Sequence, residues 1–369
     1  LTTEACLAAI ADAGLTRDDI DGLSTYPGGD AVTSTGFGGP GAAHMQDALR
    51  LNLNWIDSGG EGAAQLGAIV TAAFAVASGA ARHVLVYRTV TESTVQGAGG
   101  RRLLNDTQEA RASGWLQWLQ PFGAVSAANW LALVAQRHFH EFGTTREQLG
   151  QIALTCRANA VLNERAVYRD PLSMEDYLSA RMISSPLCLY DCDVPVDGST
   201  AFVVSHVDHA ADAPWVPVHI NAVGTAQRGR PSWDQYADMT SMFAQGAAEH
   251  LWSRTDLKPS DVDQVQLYDG FSIITLVWLE ALGFCGRGEG GAFIEGGSRI
   301  ARTGELPLNT HGGQLSEGRL HGFGHVWEAC VQLRGIGEHR QVGSPEVVAV
   351  ANGGGPIAGA MLLTRGIGD

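Results

Sequence analysis

Leu267-Tyr-Asp-Gly-Phe-Ser272, Asn309-Thr-His-Gly-Gly313 running on to Gly318-Arg-Leu-His-Gly322, and Asn352-Gly-Gly-Gly-Pro356 are the stretches on which the fold of this chain is read. Each is a short, glycine-containing segment carrying Tyr, Asp, His, Arg or Asn. The first follows an apolar run, Val262–Leu267, and the last lies between two more, Val347–Val350 and Ile357–Leu363. Short apolar runs bounded by glycine read as buried strands. Loops at strand ends are where α/β proteins gather functional side chains.

Working outward, the alternation of helix and strand patterns continues to the start of the chain. Thr3–Gly14 reads as a helix with Gly14 as its stop. In an α/β domain a strand normally precedes such a helix, so the numbering is expected to begin after one. Ile20–Ser24 and Leu53–Ile56 are apolar, and an Ala-rich helix runs to Ala77. His83–Val90, Ala201–Ser205 and Val216–Val223 read as further strands. Between about 97 and 195 the texture changes: Trp115, Trp118, Trp130, Phe139 and Phe142 cluster, and strand signals thin out. This is read as a mostly helical insertion capping a site. Within it Thr144, followed three residues later by Glu147, has the form of a capping box.

Bulk properties restrict the function classes. With 369 residues, 45% hydrophobic and 17% charged, the chain can bury a large core. A net charge of −15 argues against non-specific nucleic-acid binding, which needs clustered cations, and leaves room for a local basic patch for an anionic ligand. The longest apolar stretch, Ala63–Ala77, is interrupted by Gln65 and falls short of the ~20 residues of a membrane span. The six cysteines are scattered, with no C-x-x-C pair, and read as buried reduced thiols of a cytoplasmic protein. No motif here marks a metal site.

Several motifs in one order resemble the sterol-carrier-protein-x type thiolases: His140–Leu149, Arg169-Asp-Pro-Leu172, Asp176–Met182, Asp191–Ser199, Tyr268–Ser272, Glu280–Phe284 and Asn309–Gly313. Within that superfamily the chain looks most like the lipid-transfer-protein-like steroid aldolases. The resemblance implies an α/β fold of five layers, α-β-α-β-α, with two pseudo-repeated halves, 1–213 and 214–369. The first half would carry the loop-domain insertion. It also implies dimerisation, as a homodimer within a heterotetramer, and a small zinc-ribbon and OB-fold partner. No cofactor is then needed in this chain: coenzyme A belongs to the substrate, and zinc only to the partner.

Against that family the loops depart in their chemistry. Where a thiolase has its nucleophilic cysteine at a helix start, this chain has Asp57-Ser-Gly-Gly-Glu-Gly62, with Gly59 at the cysteine position and Gly60 beside it. Ser58 supplies the nearest hydroxyl, without an evident base. A glycine turn admitting close approach of substrate is the better reading. The sterol-carrier-type His-Asp-Cys-Phe becomes Tyr268-Asp269-Gly270-Phe271. A tyrosine can exchange the proton that a retro-aldol step requires if its pKa falls from about 10. Asp269 reads as a loop-holding carboxylate.

In the third loop Arg319 stands where Gly-His-Pro has histidine. It either stabilises an enolate or forms an ion pair with Glu317 or another acid. His321 is a proton-transfer candidate. His325, four residues on, has the spacing of two ligands on one helix face, but no third ligand completes it. His311 either donates to a thioester oxygen or caps its turn. Asn352, Gly353 and Gly354 replace the second thiolase cysteine, and form either an oxyanion hole or a tight turn. Arg101, Arg102 and Arg228 are candidates for the coenzyme A phosphates. The expected activity is retro-aldol cleavage of a β-hydroxyacyl coenzyme A thioester, a steroid side chain first. A thiolase-like acyltransferase and a non-catalytic acyl-CoA-binding scaffold are the alternatives.

Overall fold

The structure is a computed structural model, and it describes residues 1–27, 36–59, 62–96, 114, 116–228, 230, 232–233 and 235–366. The chain opens with α1 (Thr2–Asp12), β1 (Gly22–Thr25), α2 (Ala42–Leu49), β2 (Trp55–Ser58), β3 (Gly62–Gln65), α3 (Gly67–Ala77) and β4 (His83–Thr91). After β4 come α4 (Glu92–Gln96), α5 (Leu116–Leu119), α6 (Ala127–Phe142), α7 (Arg146–Ala160), α8 (Met174–Ser179), the small hairpin β5 (Met182–Ser184) and β6 (Leu187–Cys188), and β7 (Asp197–Ser205). The second half holds β8 (Val218–Ala226), α9 (Ala244–Trp252), β9 (Gln264–Leu267), α10 (Ser272–Ala281), α11 (Gly290–Ile294), α12 (Gly313–Ser316), α13 (Phe323–Arg334), β10 (Val347–Gly353) and β11 (Ala358–Arg365).

Two four-stranded sheets result, ordered β2-β1-β4-β7 and β8-β11-β10-β9. Their cores repeat one pattern. β1 and β4 run parallel and β4 pairs antiparallel with β7. Likewise β9 and β10 run parallel and β10 pairs antiparallel with β11. The crossover helix of each unit, α3 in the first and α13 in the second, packs between the sheets in one apolar cluster with Val84, Val86, Val348 and Val350. The α3 sequence Gly-Ala-Ile-Val-Thr-Ala-Ala-Phe-Ala-Val-Ala is apolar on nearly every side, as a helix covered on both faces requires. Helices α1 and α2 cover the outer face of the first sheet, and α9 and α10 that of the second. This is the five-layer α-β-α-β-α arrangement.

The segment after β4 folds as helices α5–α8 with the short hairpin, and packs on α10 and α11. Two details differ from the sequence reading. The cap of α7 is Thr145, not Thr144: its hydroxyl accepts from Gln148 N–H at 3.2 Å, and Gln148 Oε1 accepts from Thr145 N–H. Both threonines have Glu or Gln three residues on. The tie is broken by tertiary contact, because the Thr144 hydroxyl bonds buried His138 at 2.9 Å. Strand β3 carried no sequence signal, since Gly-Ala-Ala-Gln has neither alternation nor β-branching.

Among the described residues, no helix is long and apolar enough to cross a membrane.

Candidate active site

The parallel strands set the site, because β1 and β2 end level beside the middle of the longer β4, and β9 ends two residues before β10. Thr25 aligns with Ser58 and with Tyr87, so Tyr26 and Gly59 follow the ends of β1 and β2 level with Arg88 inside β4. Leu267 aligns with Ala351, so Tyr268 and Asn352 follow at the other. Tyr268 N–H donates to Ala351 C=O at 2.8 Å, which extends the pairing by one residue and fixes where the phenol starts. Tyr268 is 7% exposed.

Asp269 holds the next loop in place. Its carboxylate accepts from Gln314 N–H at 2.8 Å, Leu315 N–H at 3.3 Å and the Cys156 thiol at 3.5 Å, and lies 3.1 Å from His325 Nε2. A Cβ on Gly313, whose φ is +60°, would stand 1.9 Å from Asp269 Oδ2, so only glycine lets this carboxylate reach the loop. His325 lies inside α13, whereas His321 precedes it at φ +48°. The two therefore share no helix face, although their spacing allows it. Among the described residues no cluster of three His, Cys, Asp or Glu could hold a metal ion.

His311 is buried, with Nε2 3.4 Å from Glu317 Oε2 and its ring edge-on to His325 at 5.0 Å. Burial, with the nearby His325 and Arg340, holds its pKa well below the usual range. Burial pushes the Glu317 carboxyl up to about 8, against a hydrogen bond from Asn163 Nδ2 at 3.0 Å. At neutral pH this pair therefore carries a neutral imidazole beside a largely protonated acid.

Arg319 reaches neither Glu317 nor open solvent. Its guanidinium pairs with Glu92 at the start of α4 and lies 3.7 Å from Asp193 Oδ2. The alternative left open by the sequence is thus filled by an ion pair with two acids, one before the insertion and one near its end.

His321 meets Arg88 of β4, whose Nη2 is 2.6 Å from His321 Nδ1. The Phe37 ring packs against the imidazole at 4.4 Å, tilted by 53°. Arg88 is fully buried, with its guanidinium over the rings of Tyr26 at 5.1 Å and Phe37 at 5.0 Å. Sequence reading passed over Arg88, Glu92 and Asp193. For Arg88 a signal existed: it is the one charge inside the apolar run Val84–Val90.

Asn352 packs against the turn after His321, and a Cβ on Gly322 would lie 1.9 Å from its Nδ2. Asn352 is 0% exposed, and neither atom of its amide has a protein partner among the described residues. Gly353 and Gly354 form the turn joining β10 to β11. The Gly354 N–H bonds Ile357 C=O at 2.9 Å, and Gly353 C=O accepts from Trp278 Nε1. Of the two readings of this loop, Gly354 takes the tight turn, and the free donor is the Asn352 side chain.

Gly59, expected from the resemblance at the thiolase nucleophile position, follows β2 beside Asp57, which accepts from Thr71 at 2.8 Å. Ser58 is exposed on β2. Gly60 lies outside the described residues, as do Trp115, Arg101 and Arg102. Arg228 forms an exposed pair with Glu249 at 3.4 Å. Cys6, Cys156, Cys188, Cys285 and Cys330 all have thiol pKa values raised by burial. None of these five is poised as a thiolate at neutral pH.

A scaffold with two β-α-β-β halves, and loops at the ends of its paired parallel strands, can be compared with known proteins. The profile of a family described as "Thiolase C-terminal domain-like" matches residues 226–364. A Thermomonospora curvata protein described as a steroid side-chain-cleaving aldolase is 35% identical over 371 residues, 98% of this chain and 92% of that protein. The chain belongs to the thiolase superfamily, in its sterol-carrier-protein-like branch. A Mycobacterium tuberculosis protein, 17-hydroxy-3-oxo-4-pregnene-20-carboxyl-CoA lyase, is 36% identical over 374 residues, 98% of this chain and 93% of its own. Among solved structures, an "Ltp2-ChsH2(DUF35) aldolase" superposes with a TM-score of 0.86 at 34% identity, covering 99% of this chain and 92% of that one. Human mitochondrial 3-ketoacyl-CoA thiolase, at 14% identity and a TM-score of 0.66, shares the fold.

Proposed function

We propose that this thiolase-fold chain is a carbon–carbon lyase that cleaves a β-hydroxyacyl coenzyme A thioester by a retro-aldol step, with a steroid side chain as the substrate. Its similarity to two named steroid-thioester lyases and aldolases over nearly its whole length supports the class. The observation that carries it is the exchange of sulfur for oxygen and nitrogen at the loops. By the resemblance Gly59 stands at the nucleophile position and Gly353 and Gly354 close the loop of the second thiol, while Tyr268 and Asn352 stand at strand ends and His321 in the loop before α13.

In this reaction a base removes the β-hydroxyl proton. The Cα–Cβ bond breaks, the β carbon becomes a ketone carbonyl, and the bonding pair passes to the thioester as an enolate. A proton delivered to Cα then gives the short acyl coenzyme A. Tyr268 and His321 shuttle the proton. The Asn352 amide and His311 stabilise the enolate oxygen, where the new charge develops. An unpartnered buried amide is costly in the free protein and supports a substrate oxygen as its partner. Arg319, tied to Glu92 and Asp193, balances charge at the site rather than binding substrate.

By the same reading the chain works in the cytoplasm, without a cofactor of its own. It forms a homodimer that pairs with a small DUF35-type protein of zinc-ribbon and OB-fold build. The solved aldolase whose title pairs Ltp2 with ChsH2(DUF35) supports such a partner.

The test is incubation of the chain with its DUF35-type partner and a β-hydroxy steroid side-chain coenzyme A thioester. The expected products are the steroid ketone and a short acyl coenzyme A. An acyl group trapped covalently on the polypeptide would replace this reading with acyl transfer. Coenzyme A binding without turnover would reduce the chain to a scaffold.

A further inference from the structure

Arg88 is chemically out of place. It sits in the centre of β4, flanked by Val84, Leu85, Val86, Tyr87 and Val90, and is fully buried. A buried guanidinium is expensive unless its donors are used and its charge is answered. Its Nη1 donates to Thr89 C=O at 3.3 Å, its Nε has no partner, and its Nη2 points at His321 Nδ1 at 2.6 Å. A guanidinium has donors and no acceptor. The Nδ1 it meets must therefore present a lone pair, and the imidazole proton must sit on Nε2.

We infer that Arg88 is a positioning residue that locks His321 as the neutral Nε2–H tautomer, so that His321 enters the reaction as a proton donor and Tyr268 as the base. The surrounding charges agree. Glu92 and Asp193 pair with Arg319, and Glu92 also acts electrostatically on Arg88. Burial lowers the Arg88 pKa to about 10, offset by Tyr26, Glu92 and Tyr268 and lowered further by Arg319, so Arg88 is charged across the working range. Tyr268 is among the groups that act electrostatically on Arg88. Phe37 and Tyr26 clamp the guanidinium plane and so fix the direction of Nη2. The split of roles left open between Tyr268 and His321 is thereby decided by a residue that touches no substrate.

The inference rests on the lyase reading for its chemistry, but its first measurement does not. Nitrogen-15 spectra of the histidine-labelled chain, with the His321 signals assigned by their loss in His321→Asn, report the tautomer directly. The wild-type protein should show a pyridine-like Nδ1 and a protonated Nε2 from about pH 6 to about pH 9. Proton occupancy on Nδ1, or an imidazolium at pH 7, overturns the proposal whether or not the chain cleaves thioesters. If the tautomer is as stated and no thioester is cleaved, the lyase reading fails alone.

The second measurement is kinetic, on the complex with its partner. Arg88→Gln should lower kcat about 100-fold with KM changed less than about threefold, and raise the acid limb of the pH profile as His321 becomes free to protonate. Arg88→Lys, which keeps a charged donor, should recover most of the loss and guards against a folding failure of the glutamine variant. In a His321→Asn background Arg88→Gln should cost little more. An equal loss in both backgrounds would assign Arg88 to packing and overturn the proposal.

Discussion

Glu317 Oε2 lies 3.4 Å from His311 Nε2, and the two groups titrate in opposite directions from their ordinary values. An unfolded glutamate ionises near 4.5, and folded Glu317 at about 8. The folded state therefore holds an extra proton between those values, and the cost of ionising the buried acid is absent below the lower and complete above the higher. His311, depressed by burial, acts at the other end: it costs stability as pH falls below the ordinary histidine range.

Glu317→Gln isolates the first effect, because the amide does not titrate. The melting temperature of the variant relative to wild type should rise steadily from about pH 5 to about pH 9. Thermal unfolding across that range checks it. A constant difference would mean that Glu317 is already ionised at pH 5.

Tyr268→Phe removes one hydroxyl at the end of β9 and leaves the ring in its packing. The expected loss is about 10²- to 10⁴-fold in kcat with a melting temperature close to wild type. Steady-state turnover of the steroid thioester, alongside thermal unfolding, decides it. Near-normal turnover removes Tyr268 from the mechanism.

Asn352→Leu tests the unpartnered amide. Replacing an unsatisfied buried amide by an apolar group of similar size relieves about 1–3 kcal/mol of desolvation cost. The variant should unfold at the same or a higher temperature while losing most of its activity, a trade of stability for function. A destabilised variant with full activity would show that Asn352 serves the fold.

Gly313→Ala forces a Cβ into the Asp269 carboxylate at a left-handed backbone position. Strain alone is about 1–3 kcal/mol, before the collision is counted. Chemical denaturation should show at least that loss. Unchanged stability would mean that Asp269 does not hold the 313–316 turn.

The ten apolar runs and helices read from the sequence recur as β1, β2, β4, β7–β11, α1 and α3, because the spacing of apolar residues and glycine is a local signal of element type. The Gly-rich loops were legible for the same local reason: Gly313 and Gly322 have conformations and neighbours that admit no side chain. Thr145 rather than Thr144 as the α7 cap was not legible, since the choice depends on His138, which lies on another helix. Nor was the spacing of His321 and His325 informative, because the helix begins between them.

The sequence by itself determined the alternating α/β pattern and the absence of cysteine from the loops 57–62 and 351–356, because residue type and order suffice for those. Only the tertiary structure decided which charges meet. Arg319 found Glu92 and Asp193, and Arg88 found His321 233 positions away, since the closing of one sheet's strand ends onto the other's loops is a property of packing and not of any local run of residues.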